Sequence, residues 1–154
     1  MKSRPGKVEY YLDIAQDVAS RGTCLRRNYG AVLVKDDAIV STGYSGAPRG
    51  LPNCCDLEVC EREKNGVPRG ERYELCRSVH AEMNAIINAG REKTLGATLY
   101  LAGYDVKTDE ILDAEPCFLC KRIILNAGIY KVVCRTSDGG SQSIIPEGHP
   151  EYQT

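Results

Sequence analysis

Four side chains of this sequence have the types and spacing of a hydrolytic metal centre. His80 and Glu82 stand two apart in Val79-His80-Ala81-Glu82-Met83-Asn84-Ala85-Ile86-Ile87-Asn88-Ala89-Gly90, and Cys117 and Cys120 stand three apart in Pro116-Cys117-Phe118-Leu119-Cys120. Zinc takes four tetrahedral ligands, and a catalytic zinc leaves one of the four positions to water. His80, Cys117 and Cys120 supply three ligands. Cysteines three apart at a helix start share one face, and the unpaired backbone N–H groups there favour the thiolate. A zinc ion lowers the pKa of its water towards neutrality. Glu82, two residues past a ligand, is placed to move protons rather than to bind. Taken singly, a C-x-x-C pair often marks a structural zinc or a redox couple, and a histidine on a helix is usually a packed polar residue. The two motifs together point to catalysis.

Both motifs need helices to present them. Ala85, Ile86 and Ala89 give the first stretch a helical apolar face, and Gly90 stands at the expected C-terminal cap. The second helix starts at Pro116-Cys117 and closes with Asn126-Ala127-Gly128. Ahead of them, Val8 to Arg21 reads as an amphipathic helix ended by Gly22. Tyr29–Val34 and Ala38–Tyr44 read as two strands of a hairpin, turned by Lys35-Asp36-Asp37. From Ser45 to Arg77 no periodicity survives, and a structureless loop of that length needs an anchor. Ala97–Leu101 and Ile129–Cys134 read as further strands, separated by the acidic connection from Tyr104 to Glu115 and the Cys117 helix. A last strand near Ile144 is expected, followed by a polar tail without a terminal helix. The order α-β-β-α-β-α-β predicts an α/β fold of three layers, a mixed sheet between helices, with the Leu99 and Val132 strands parallel. Both motif helices then open towards one side of the sheet. Cys134, alternating within its strand, reads as core.

Size and composition narrow the function. The 154 residues make one domain, 1–154, and a domain of that length buries roughly 68–70% of its unfolded surface. A net charge of −1 provides no basic field for a polyanion. No run approaches the roughly 20 apolar residues that span a bilayer, and Met1–Lys7 leads into no apolar signal core. A soluble cytoplasmic protein without membrane contact is expected. Eight cysteines could form a disulfide scaffold, but such scaffolds are mostly short and secreted, so metal binding is the better account here.

H-x-E followed by P-C-x-x-C is the pattern of zinc-dependent nucleobase deaminases, in which the glutamate passes the water proton to a ring nitrogen and on to departing ammonia. Nearly the whole chain resembles the deoxycytidylate deaminases of the cytidine deaminase fold. The resemblance includes Cys24-Leu25-Arg26-Arg27-Asn28-Tyr29-Gly30-Ala31-Val32, Gly43-Tyr44-Ser45-Gly46-Ala47-Pro48-Arg49-Gly50 and the cysteine-rich insert before His80. That insert separates the chain from plain cytidine deaminases and from tRNA adenosine deaminases. The resemblance implies about five strands between helices and the conversion of dCMP and water to dUMP and ammonia, feeding thymidylate synthesis. It implies that Gly43–Gly50 lines the nucleotide pocket, that the Ala81 backbone holds the base carbonyl, and that Ser45 stands where the family commonly has a sugar-binding Asn. Arg26 and Arg49 are candidates for the phosphate, since guanidinium groups bind it bidentately.

The resemblance also implies a structural zinc on Cys24, Cys54, Cys60 and Cys76, with Cys55 a rival for Cys54. A closed site of four cysteines would fix the long loop. A homo-oligomer, a hexamer, and an allosteric nucleotide with Mg²⁺ in some members are implied by the resemblance as well. Against the leading expectation stand a deaminase of another cytosine nucleotide or nucleoside (dCTP, CMP, deoxycytidine), a nucleic-acid cytosine or adenine deaminase, and a non-catalytic zinc-stabilised interaction module. Missing basic surface counts against the nucleic-acid editor, and an intact Glu82 counts against the module.

Overall fold

The computed structural model describes residues 2–146. Helix α1 (Lys7–Ala19) leads into β1 (Arg27–Lys35) and β2 (Ala38–Tyr44). Asp36 and Asp37 both take positive φ, 51° and 60°, the left-handed pair that a tight hairpin turn requires. Two one-turn helices follow, α2 (Cys54–Leu57) and α3 (Glu61–Lys64), then a 3-10 turn at Tyr73–Leu75. Helix α4 (Ala81–Ala89) and the one-turn α5 (Arg91–Thr94) lead to β3 (Thr98–Asp105). Helix α6 (Phe118–Asn126), β4 (Lys131–Arg135) and β5 (Ser141–Ile144) complete the described chain.

The five strands form one sheet in the order β2-β1-β3-β4-β5. β3 and β4 are parallel, and the other neighbours are antiparallel, as the crossover through a helix dictates. Strand alternation sorts the core onto two faces. Ala31, Leu33, Leu99, Leu101, Val132 and Cys134 pack with Ala81 and Ala85 of α4 and Cys120 and Ile124 of α6. Val32, Val34, Tyr100, Ala102 and Val133 pack with Tyr11, Leu12 and Ala15 of α1. Cys134 is core, as its alternation predicts.

Differences from the sequence expectation lie at element ends and in the long loop. β3 runs on to Asp105, because β1 continues to pair with it as far as Arg27↔Asp105. The Ser45–Arg77 stretch, expected to be structureless, holds α2, α3 and the 3-10 turn. Each is too short to carry a readable period. The last strand falls at Ile144, as expected, while the polar tail after Pro146 lies outside the described residues. No helix among the described residues is long and apolar enough to cross a membrane.

Two glycines let helices approach the sheet. A Cβ at Gly43 of β2 would collide with the backbone of Ala81 and Ala85, and one at Gly30 of β1 with that of Ala15 and Ala19. Overpacking of this kind costs about 1–3 kcal/mol, occasionally more. Gly43→Ala and Gly30→Ala should each lower the melting temperature, by about 2–4 °C per kcal/mol in a chain of this size. Only Gly43→Ala should also disturb His80 and Glu82, since only it displaces α4. Zinc content and near-UV circular dichroism of the two variants check this, and equal disturbance in both would contradict the assigned packing.

Candidate active site

Neither motif begins inside its helix. His80 is the N-cap of α4 and Cys117 the N-cap of α6, both extended. The Cys120 amide donates to the Cys117 sulfur at 3.3 Å, a first-turn N–H that finds its acceptor in the cap side chain. His80 Nδ1 lies 3.3 Å from the sulfur of Cys117 and 3.3 Å from that of Cys120. Ligand atoms of the three residues all lie within 4.8 Å of one another. Zinc–sulfur bonds of about 2.3 Å and zinc–nitrogen bonds of about 2.0–2.1 Å give tetrahedral N···S edges of roughly 3.5 Å. The donor set fits a zinc ion by both chemistry and spacing.

Partial burial and mutual hydrogen bonding shift the protons of the three candidate ligands. The Cys120 thiol, the His80 ring and the Cys120 amide stabilise the Cys117 thiolate and hold it down at about 4. Hydrogen bonding to Cys117 and burial push Cys120 in the other direction. The Cys117 thiolate in turn raises the His80 ring. Glu82, in the first turn of α4 and 4% exposed, has its carboxyl raised chiefly by burial. Cys134 beneath it is pushed up to about 12 by burial and by the Glu82 charge.

These groups open into a cleft of about 430 Å³, bordered by Arg26, Ser45, Ala81 and Pro116 among others. Arg49 is not in its wall. It is exposed and donates to Asn88 Oδ1 at 3.1 Å. Ser45 borders the cleft, but its hydroxyl is engaged: it accepts from the Tyr29 amide at 2.9 Å and donates to the Tyr29 carbonyl at 3.2 Å. It continues the β1 ladder past the end of β2, a task its single short hydroxyl suits.

Of the second cysteine group, Cys24, Cys60 and Cys76 also border the cleft. Cys54 is buried and Cys55 exposed, so the inward position belongs to Cys54. The Cys54 thiol is raised by burial and by the nearby Cys24, Cys76 and Cys60. The four are neighbours, although among the described residues only the His80 set is drawn within 4.8 Å.

The sequence did not single out Arg27, Tyr29, Arg62, Arg69 or Tyr73, all of which border the cleft. Arg27 had a signal, because alternation places it on the same face as Tyr29, Ala31 and Leu33. Arg62, Arg69 and Tyr73 had none, lying in the loop without a period.

Known proteins bear on this site. Residues 5–136 match the cytidine and deoxycytidylate deaminase zinc-binding region. The chain belongs to the cytidine and deoxycytidylate deaminase family. It is 40% identical to the deoxycytidylate deaminase of Mycobacterium phage D29 over 85% of this chain and 95% of that protein. It is 36% identical to that of Schizosaccharomyces pombe over 87% of this chain but only 38% of the yeast protein. Among solved structures, dCMP deaminase from the cyanophage S-TIM5, in complex with dCMP and dUMP, is similar at a TM-score of 0.58 and 27% identity, covering 85% of this chain and 82% of that one. A cytidine deaminase from Burkholderia pseudomallei shares the fold, with a TM-score of 0.59 at 16% identity over 89% of this chain and 91% of that one.

Ser45→Ala would strip the half-buried Tyr29 amide of its acceptor, and leaving a buried group unpaired costs about 1–3 kcal/mol. Denaturant unfolding should show a loss of that order. An unchanged midpoint would mean that the hydroxyl does not hold the strand end.

Proposed function

We propose that the chain is a single deaminase domain, residues 1–154, that converts dCMP and water to dUMP and ammonia and so supplies dUMP for thymidylate synthesis. The observation that carries this reading is the meeting of His80, Cys117 and Cys120 beside a buried glutamate at an arginine-bordered cleft. The choice of dCMP is supported by the deoxycytidylate deaminase of Mycobacterium phage D29, which this chain matches along nearly that protein's whole length.

His80, Cys117 and Cys120 hold the zinc, which when bound supplies Lewis acidity and a water nucleophile near neutral pH. Glu82 holds the proton taken from that water. As oxygen bonds to the ring carbon bearing the amine, Glu82 delivers that proton to the ring nitrogen; it then carries the second proton, from the added hydroxyl, to the amine as the carbon–nitrogen bond breaks, leaving a ring carbonyl and ammonia. Its raised carboxyl suits both the acid and the base halves of this cycle. The Ala81 amide, first in α4 and without an intrahelical acceptor, binds the base carbonyl. Walls around Glu82 exclude bulk water. Cys24, Cys54, Cys60 and Cys76 hold a second, structural zinc, a reading supported by their mutual proximity and the burial of Cys54 and Cys60. Ile87 on α4 and Phe118 on α6, each 67% exposed, supply apolar surface for a homo-oligomer.

One observation favours a second reading. With the Ser45 hydroxyl committed to Tyr29, the sugar goes unread at that position, which favours a deaminase that takes CMP alongside dCMP. Initial rates of ammonia release on the two substrates decide between them.

Glu82→Gln should retain zinc and fold while kcat for dCMP falls about 10²–10⁴-fold, since a positioned proton carrier contributes that much. Near-normal turnover would refute the role given to Glu82.

Metal analysis should find about two zinc ions per chain, one for each ligand set. Cys117→Ala should lose one. Cys60→Ser and Cys76→Ser should each lose the other, with a lower melting temperature, because binding at a structural site contributes directly to folding free energy. One zinc per chain, unmoved by Cys60→Ser, would reduce the four cysteines to buried thiols.

A further inference from the structure

Charge at the cleft is unevenly compensated. Besides Glu82, its wall carries two acids, and both are engaged elsewhere. Asp113 accepts from the Ser137 amide at 2.7 Å, and Glu115 pairs with Lys121 at 3.0 Å. Four arginines border the same space. One of them, Arg62, is 5% exposed and spent on the chain itself. Its Nε donates to the Glu71 carbonyl at 3.0 Å and its Nη2 to the Pro68 carbonyl at 3.0 Å. Its guanidinium also lies 4.7 Å from the centre of the Tyr73 ring, within cation–π range. Tyr73 in turn meets His80 edge-on, at 5.1 Å between ring centres.

Arg62 thus grips the turn at both ends, Pro68 and Glu71, and Arg69 lies between them. Arg69 is exposed, borders the cleft and is spent on no hydrogen bond or ion pair within the described chain. Arg27 reaches the same space from β1. Tyr29 borders the cleft together with Arg27, Arg69 and Glu82, and the charges of all three reach its hydroxyl. An anionic group attached to a base at Glu82 would find these two guanidiniums in the wall of the same cleft.

We propose that Arg69 and Arg27 bind the 5′-phosphate of the substrate, and that the buried Arg62 is a positioning residue that holds the Pro68–Glu71 turn so that Arg69 faces the cleft. This rests on the dCMP reading above and assigns a specificity role to the cysteine-rich insert, which otherwise serves only as the seat of a structural metal. Guanidinium groups from two elements suit a phosphate, which offers several acceptor oxygens to forked donors. Lysine in place of Arg62 could not reach both carbonyls and stack on Tyr73 at once.

The test is steady-state kinetics on dCMP and on deoxycytidine, with zinc content and melting temperature recorded for every variant. Arg69→Ala and Arg27→Ala should raise KM for dCMP by about 10- to 100-fold, the scale of losing a charge-assisted contact. Their kcat and their activity on deoxycytidine should stay near those of the parent. Arg62→Gln should show the same selective loss with zinc retained, and adding Arg69→Ala to it should cost little more. A parent preference for dCMP left intact by Arg69→Ala overturns the phosphate role while the dCMP reading stands. Equal loss on both substrates in Arg62→Gln overturns the positioning role. If Arg62→Gln fails to fold, the exposed Arg69→Ala decides alone. Equal efficiency of the parent on dCMP and deoxycytidine overturns the nucleotide reading itself, and the phosphate role with it.

Discussion

Three candidate metal ligands and one buried carboxyl must be brought together, and they come from two helix starts whose caps, His80 and Cys117, are 37 residues apart in sequence. Neither helix could do this alone, because a nine-residue helix is marginal in water without tertiary packing. The sheet solves the problem. β3 and β4 run parallel with α6 crossing between them, while α4 lies on the same face over β2 and β1. Both N-termini then open at one end of that face. The bare backbone of Gly43 lets α4 settle against β2 closely enough to seal Glu82.

Sealing has an electrostatic consequence. A carboxyl taken from water resists ionisation, and burial is the largest influence on Glu82, ahead of the Cys120 thiol, the backbone and the His80 ring. The same dry setting raises Cys134 beneath it. A metal cation at the His80 set would add positive charge beside Glu82, so these side chains and the carboxyl would be linked through the field as well as through contact.

The stretch from Ser45 to Arg77 follows different rules. It has no apolar stripe, and its order comes from polar anchors. Asn53 and Asp56 form a capping box at α2, and Asn53 also accepts from the Ala47 amide at 3.0 Å. Cys55 donates its amide to the Thr23 carbonyl at 3.2 Å, tying α2 to the segment before β1. Gly46 and Val79 exchange backbone hydrogen bonds at 3.2 and 2.7 Å, so the two ends of the loop are pinned side by side. Arg62 holds its middle through the Pro68 and Glu71 carbonyls. A loop closed in this way can carry the wall of a cleft.

Sequence alone singled out His80, Glu82, Cys117 and Cys120 as one group, since residue type and short spacing along a helix start fix what such groups can reach, and the fold brings them together. It determined α1, the β1–β2 hairpin, α4 and α6, whose apolar periods span several turns or a full strand, and it placed the parallel pair through the helix between them. It determined that Cys134 is core. The tertiary structure decided what depends on distant partners. It extended β3 to Asp105 by pairing with β1, turned Cys54 rather than Cys55 inward, left Arg49 outside the cleft and committed Ser45 to the Tyr29 backbone. It also brought Arg62, Arg69 and Tyr73 to the cleft from a segment without period. Their places follow from carbonyls, rings and thiols that become neighbours only when the chain folds, and no local pattern encodes such contacts.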